Sequence, residues 1–162
     1  MRSEYFVPLI LFFPLLLLQT TFVPLISING IIPDLILILL VFYTIKTGQI
    51  YGTILGFVLG FFFDLITGSL LGSAMISKTT AGFAAGYFSN ENKQDIYLRT
   101  YTFSIIVLLC AIIDSMIYSF FSSVDIKANI LLVLFEQGLF PGLYTALLSV
   151  AVVIFQPKRS LA

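Results

Sequence analysis

Residues Gly52–Gly86 read GTILGFVLGFFFDLITGSLLGSAMISKTTAGFAAG, two apolar helical patterns joined at about Thr67–Gly72. Gly52, Gly56, Gly60 and Asp64 recur every four residues and so fall on one slowly drifting helical stripe. Lys78, Gly82 and Gly86 form a second stripe with the same step. Folding the segment into an antiparallel hairpin about Leu71 sets Asp64 opposite Lys78, Gly60 opposite Gly82 and Gly56 opposite Gly86. One register thus pairs the segment's two charges and stacks glycine on glycine. The spacing predicts two helices in close contact inside a membrane, locked by an Asp64–Lys78 ion pair.

The composition around this hairpin has the same character. Of 162 residues, 59% are hydrophobic and 10% charged, with a mean hydropathy of +1.09. A soluble domain carries about 25% charged residues, so the chain reads as an integral membrane protein with one domain, residues 1–162, and little outside the bilayer. The formal net charge is zero, and no basic surface argues for nucleic acid. Histidine is absent, which excludes Ser–His and Cys–His catalysis and His-bearing zinc sites. Cys110 sits alone in an apolar run and reads as a small core residue. No catalytic, metal-ligating or cofactor-binding constellation stands out, and a non-enzymatic protein is expected. The N-terminal apolar stretch is too long for a signal peptide and lacks a small-residue cleavage site, so it reads as a retained first helix.

With about 20 apolar residues needed per span, the sequence predicts an all-α, polytopic bundle of six transmembrane helices, at about 5–26, 31–46, 50–66, 72–88, 100–121 and 130–155. Pro8, Pro14 and Pro24 predict a bend in the first. Asn29-Gly30 is a turn signal, Pro33 suits the first turn of the second helix, and Asp34 favours the positive end of its dipole. Thr47-Gly48-Gln49 reads as a tight link, Ser89–Arg99 as a polar loop, and Gly138 with Pro141-Gly142 as a kink in the sixth helix.

Lysine and arginine set the orientation. With both termini cytoplasmic, the inner side holds Arg2, Lys46, Lys93, Arg99, Lys158 and Arg159, and the outer side holds Lys127. Asp34 and Asp64 then lie near outer helix ends. At about 1.5 Å per residue, Lys78 lies roughly 9 Å, Asp114 about 12 Å and Glu136 about 10 Å from the outer ends of theirs. Charges at such depths face a bundle interior or a watery cavity and mark function. Asp34 is near enough to the surface for hydration. Asp114 and Glu136 lack a basic partner in the chain once Lys78 is paired with Asp64. Asp34, Asp114 and Glu136 therefore form a candidate partner-binding polar layer.

Pro33-Asp34-Leu35 opening a short helix, the Gly52/Gly56/Gly60/Asp64 series, Gly68-Ser69-Leu70-Leu71-Gly72, and Ala81-Gly82 with Ala85-Gly86-Tyr87 together resemble the bacterial rod shape-determining membrane protein family MreD. The motifs cover about residues 33–87; size and hydropathy agree over the whole chain. The resemblance implies a non-catalytic subunit of the elongation machinery in the bacterial inner membrane. Its implied partners are the single-span protein MreC directly, the actin-like MreB and the peptidoglycan synthases indirectly, and membrane lipids. It further implies a likeness to the six-helix substrate-binding subunits of energy-coupling-factor transporters. A competing reading is a small-solute-binding transporter subunit, whose outward acidic groups would take a cation or basic solute. Against it, the helices show no internal inverted repeat. An intramembrane aspartyl enzyme would need two adjacent carboxyls, and nothing in the sequence brings Asp64 and Asp114 together.

Overall fold

The computed structural model describes residues 6–28, 30–90, 94–122 and 138–155. Its first helix, α1, is Val7–Thr21, with Pro8 in the first turn, where a missing N–H costs nothing. The chain then tightens into a 3-10 turn at Val23–Ile26 with Pro24 near its start, so the expected first span is a helix followed by a turn. Beyond it, Ile28 and Ile31 exchange backbone hydrogen bonds around Gly30, whose φ of 81° is the left-handed conformation the turn signal demanded.

Helix α2, Leu35–Thr47, begins one turn later than expected. Pro33 lies outside it, because Asp34 is extended (φ −102°, ψ 97°) and serves as the N-cap, its Oδ1 accepting from the Leu37 N–H at 2.9 Å. The helix is apolar all round, and Ile36, Leu37, Ile38, Leu40, Val41, Thr44 and Ile45 are all buried. A helix of that kind belongs in the middle of a bundle. At about 1.5 Å per residue it is roughly 20 Å long, shorter than a hydrocarbon core of about 30 Å. Gly48 alone links it to α3, Gln49–Thr67, with φ 111°.

After α3 the chain turns at Gly68–Gly72 and re-enters as α4, Ser73–Gly86. Within the segment expected to be a polar loop there is a short helix, α5, Gln94–Arg99. Its Leu98 is buried against the core, which gives the segment a reason to be helical. Helix α6 is Thr102–Ser122. A π-turn at Gly138 and Leu139 leads into α7, Phe140–Phe155, with Pro141 in its first turn. The first part of the expected sixth helix lies outside the described residues.

Among the described residues every regular element is helical. Helices α3 and α6 are long and apolar enough to cross a membrane, and α1, α2 and α7 are shorter apolar helices. Phe12, Leu16, Leu40, Val41, Leu59, Ala81, Phe103 and Val107 join five helices in one core, in which Cys110 is also buried. The outward faces are apolar too: Leu17, Ile50, Phe120 and Leu147 are each more than three-fifths exposed. Such a surface suits lipid rather than water.

Helix α4 packs against α2, α3 and α6. Its approach to α3 is close because glycine removes the side chains between them. A Cβ on Gly56 would fall within 3.0 Å of the backbone carbonyl of Lys78; on Gly60, within 3.0 Å of that of Ala74; on Gly82, within 3.0 Å of that of Gly52. The glycine stripes thus lie in the contact, but in a different register from the expected one. Gly56 faces Lys78 rather than Gly86, and Gly60 faces Ala74 rather than Gly82, an offset of about two turns. Gly86 meets Gln49. Gly68 (φ 67°) and Gly72 (φ 106°) bend the connection back on itself, so that the first turn of α4 lies beside Gly60 and Asp64 instead of beyond them.

Candidate functional site

The same offset reassigns both charges of the hairpin. Asp64 does not pair with Lys78. Its carboxylate sits over the start of α4, accepting from the backbone N–H groups of Gly72 (2.9 Å), Ala74 (3.1 Å) and Met75 (3.2 Å) and from the Ser69 hydroxyl (2.7 Å). Those amides are the donors a helix N-terminus leaves without intrahelical acceptors, and the helix dipole favours an anion there. With these donors and the Ser73 hydroxyl (3.3 Å) in place, a residue that is 1% exposed needs no ammonium. Asp64 is a cap reached from the neighbouring helix.

Lys78 turns the other way, into the bundle. Its ammonium bonds Asp34 of α2 and, at 3.3 Å, Oδ2 of Asp114 of α6, and lies 5.5 Å from the centre of the Phe63 ring. Three helices that are distant in sequence are joined by one cation. The Lys78 side chain is 3% exposed, Asp114 7% and Asp34 23%, so the site grades from dry to partly open. Asp34 does two things at once: Oδ1 caps α2 and Oδ2 takes the lysine. It sits at the more open rim of the buried group.

The sequence reading expected Asp114 to have no basic partner in the chain; the structure supplies Lys78. Asp34 was expected in the candidate polar layer as a group hydrated near the surface, whereas it completes the ion triad. Glu136, the third residue of the candidate polar layer, lies outside the described residues.

Two further residues hold the triad in place, and neither was expected. Gln19 of α1, buried among leucines, donates from Nε2 to the Pro33 carbonyl (2.7 Å) and accepts from the Leu35 N–H (2.9 Å), clamping the segment that carries Asp34. Thr145 of α7 accepts from the Asp34 N–H (2.9 Å) and donates to the Pro141 carbonyl (2.7 Å). The signal for Gln19 was available: one amide side chain inside PLLLLQTT is costly in a membrane unless both ends are satisfied. Thr145 carried no such signal, because a threonine can satisfy itself on its own helix.

The triad borders a cavity of about 320 Å³, lined by residues of α1, α3, α4, α6 and α7 together with Gly30, Ile32 and Asp34 of the segment leading into α2. One buried oxygen beside it, Oδ1 of Asp114, has no hydrogen-bond partner. All these groups gather at one end of the bundle. At the other end Ser89 donates to the Ile45 carbonyl and Gln49 to the Phe83 carbonyl, near Lys46. The arrangement holds helices together and offers a small polar chamber.

The family model of the rod shape-determining protein MreD matches residues 2–156. No curated protein and no solved structure matches the chain.

Proposed function

The chain belongs to the rod shape-determining MreD family of membrane proteins, and from that premise we propose that it is a non-catalytic, multi-pass subunit of the inner membrane whose partner is an MreC-like single-span protein. Through that partner it supports MreB-directed lateral peptidoglycan synthesis. The observation that carries this reading is the ion triad. It ties α2, α4 and α6 into a fixed arrangement at one end of the bundle, which is what a docking platform requires and a reaction does not. Both termini are cytoplasmic in this reading, so the triad end faces outward. The separation of Lys46 from the Asp34, Lys78 and Asp114 end supports that orientation. Asp34 and Asp114 at this end, with Glu136 joined to them from the sequence alone, are where the partner's membrane-proximal segment meets the chain.

The test is recovery of the single-span protein with this chain from detergent extracts, alongside cell shape. Changing Asp114 to Asn is expected to cost both co-purification and rod shape while the chain still inserts. Full recovery and normal rods with an inserted Asp114→Asn chain would remove the polar layer from the partner contact.

A further inference from the structure

The triad is short of one positive charge and one donor. Two carboxylates, Asp34 and Asp114, share the single ammonium of Lys78. Of their four oxygens, Asp34 Oδ1 is taken by the Leu37 N–H, and Asp34 Oδ2 and Asp114 Oδ2 by the lysine. Asp114 Oδ1 is buried and makes no hydrogen bond of normal geometry, with the Ser77 hydroxyl as the neighbouring polar group. A buried charged group left in that state is costly, more so in a bundle surrounded by lipid. The cavity of about 320 Å³ lies against all three ionic groups, and Asp34, the most open of them, faces it. Its volume is at the small end of the range for ligand sites. Phe63 and Tyr118 supply aromatic lining, which attracts cations, and Ser115 and Gln19 supply polar wall.

We propose that this cavity is a binding site for a primary ammonium group, carried either by a small free amine or by the headgroup of an ethanolamine lipid. The ammonium supplies the missing charge and donates N–H to the carboxylates. Lys78 also lines the cavity, but its ammonium is already bound to both carboxylates. The site shares Asp34 and Asp114 with the proposed partner contact and concerns the chamber they line; nanodiscs without a partner read it separately.

The experiment uses the full chain in phosphatidylcholine nanodiscs, with thermal unfolding followed by tyrosine fluorescence. One arm titrates free ethanolamine, with choline as the control that has the same charge but no N–H. The other arm replaces part of the lipid with phosphatidylethanolamine. A saturable rise in the midpoint with ethanolamine and none with choline assigns a free amine; a rise only in the second arm assigns the lipid headgroup. Asp114→Asn is expected to weaken binding by about tenfold or more, the loss of one charge-assisted hydrogen bond. Ser115→Leu fills the cavity and leaves the triad intact, so it is expected to abolish the response even if Asp114→Asn does not fold. No response in either arm, an equal response to choline, or a full response in Ser115→Leu would overturn the proposal.

Discussion

Replacing Lys78 by Met keeps the length of the side chain and removes its charge. The side chain is 3% exposed, and its ammonium is in contact with both Asp34 and Asp114. Without it Asp114, 7% exposed, is an uncompensated buried carboxylate facing a second one. Breaking a buried pair by removing one partner typically costs about 3–5 kcal/mol. Asp34 contributes less to that cost, since it is near the rim and still caps α2. Lys78→Met is therefore expected to lower the unfolding midpoint of the purified protein in detergent by on the order of 10 °C, read by far-ultraviolet circular dichroism. Adding Asp114→Asn removes the stranded charge and is expected to recover more than half of the loss. Adding Asp64→Asn instead is expected to recover none, and exchanging the residues as Asp64→Lys with Lys78→Asp is expected to be worse than either single change. A rescue by the exchange, or an unchanged midpoint for Lys78→Met, would refute the assignment of Lys78 to Asp34 and Asp114.

Three other expectations concern the hairpin and the orientation. Gly56→Leu drives a side chain into the rigid carbonyl of Lys78 and is expected to cost about 1–3 kcal/mol or more, as overpacking does, in the same melting assay. Asp64→Ala leaves the amides of Gly72, Ala74 and Met75 without an acceptor and is expected to cost about 1–3 kcal/mol; Asp64→Asn, which keeps one acceptor oxygen, is expected to cost less. In sealed protoplasts, a membrane-impermeant maleimide is expected to label Leu70→Cys at once and Thr100→Cys only after lysis, with buried Cys110 as a silent background. The reverse pattern would invert the bundle.

The helices were legible in the sequence because apolar runs and their punctuation are local. Gly48 and Gly30 are in the conformations their turn signals required, and Asp34 caps the helix it precedes. The glycine stripes were legible as a contact surface, since a four-residue step always lines one face. Their register was not. Periodicity fixes which face of a helix meets its neighbour but is blind to sliding along the axis. The slide was set by the fold-back at Gly68 and Gly72, which moves α4 about two turns along α3. That slide placed Asp64 on free amides and released Lys78 toward the bundle. The convergence of Asp34 and Asp114 on Lys78 depends on α2 and α6 flanking α4, a three-body arrangement no pairwise spacing encodes. Helix α5 was hidden for another reason: its polar composition masks Leu98 and Tyr97, which pack against the core.

The most direct test of the triad is a distance measurement in lipid. With ¹⁵N on lysine side chains and ¹³C on aspartate carboxyls, solid-state magnetic resonance reports dipolar coupling between an ammonium and carboxylates in contact with it. The coupling from Lys78, identified by its loss in Lys78→Met, is expected to fall in Asp34→Asn and in Asp114→Asn and to persist undiminished in Asp64→Asn. A coupling that survives the first two changes and vanishes with the third would contradict the account.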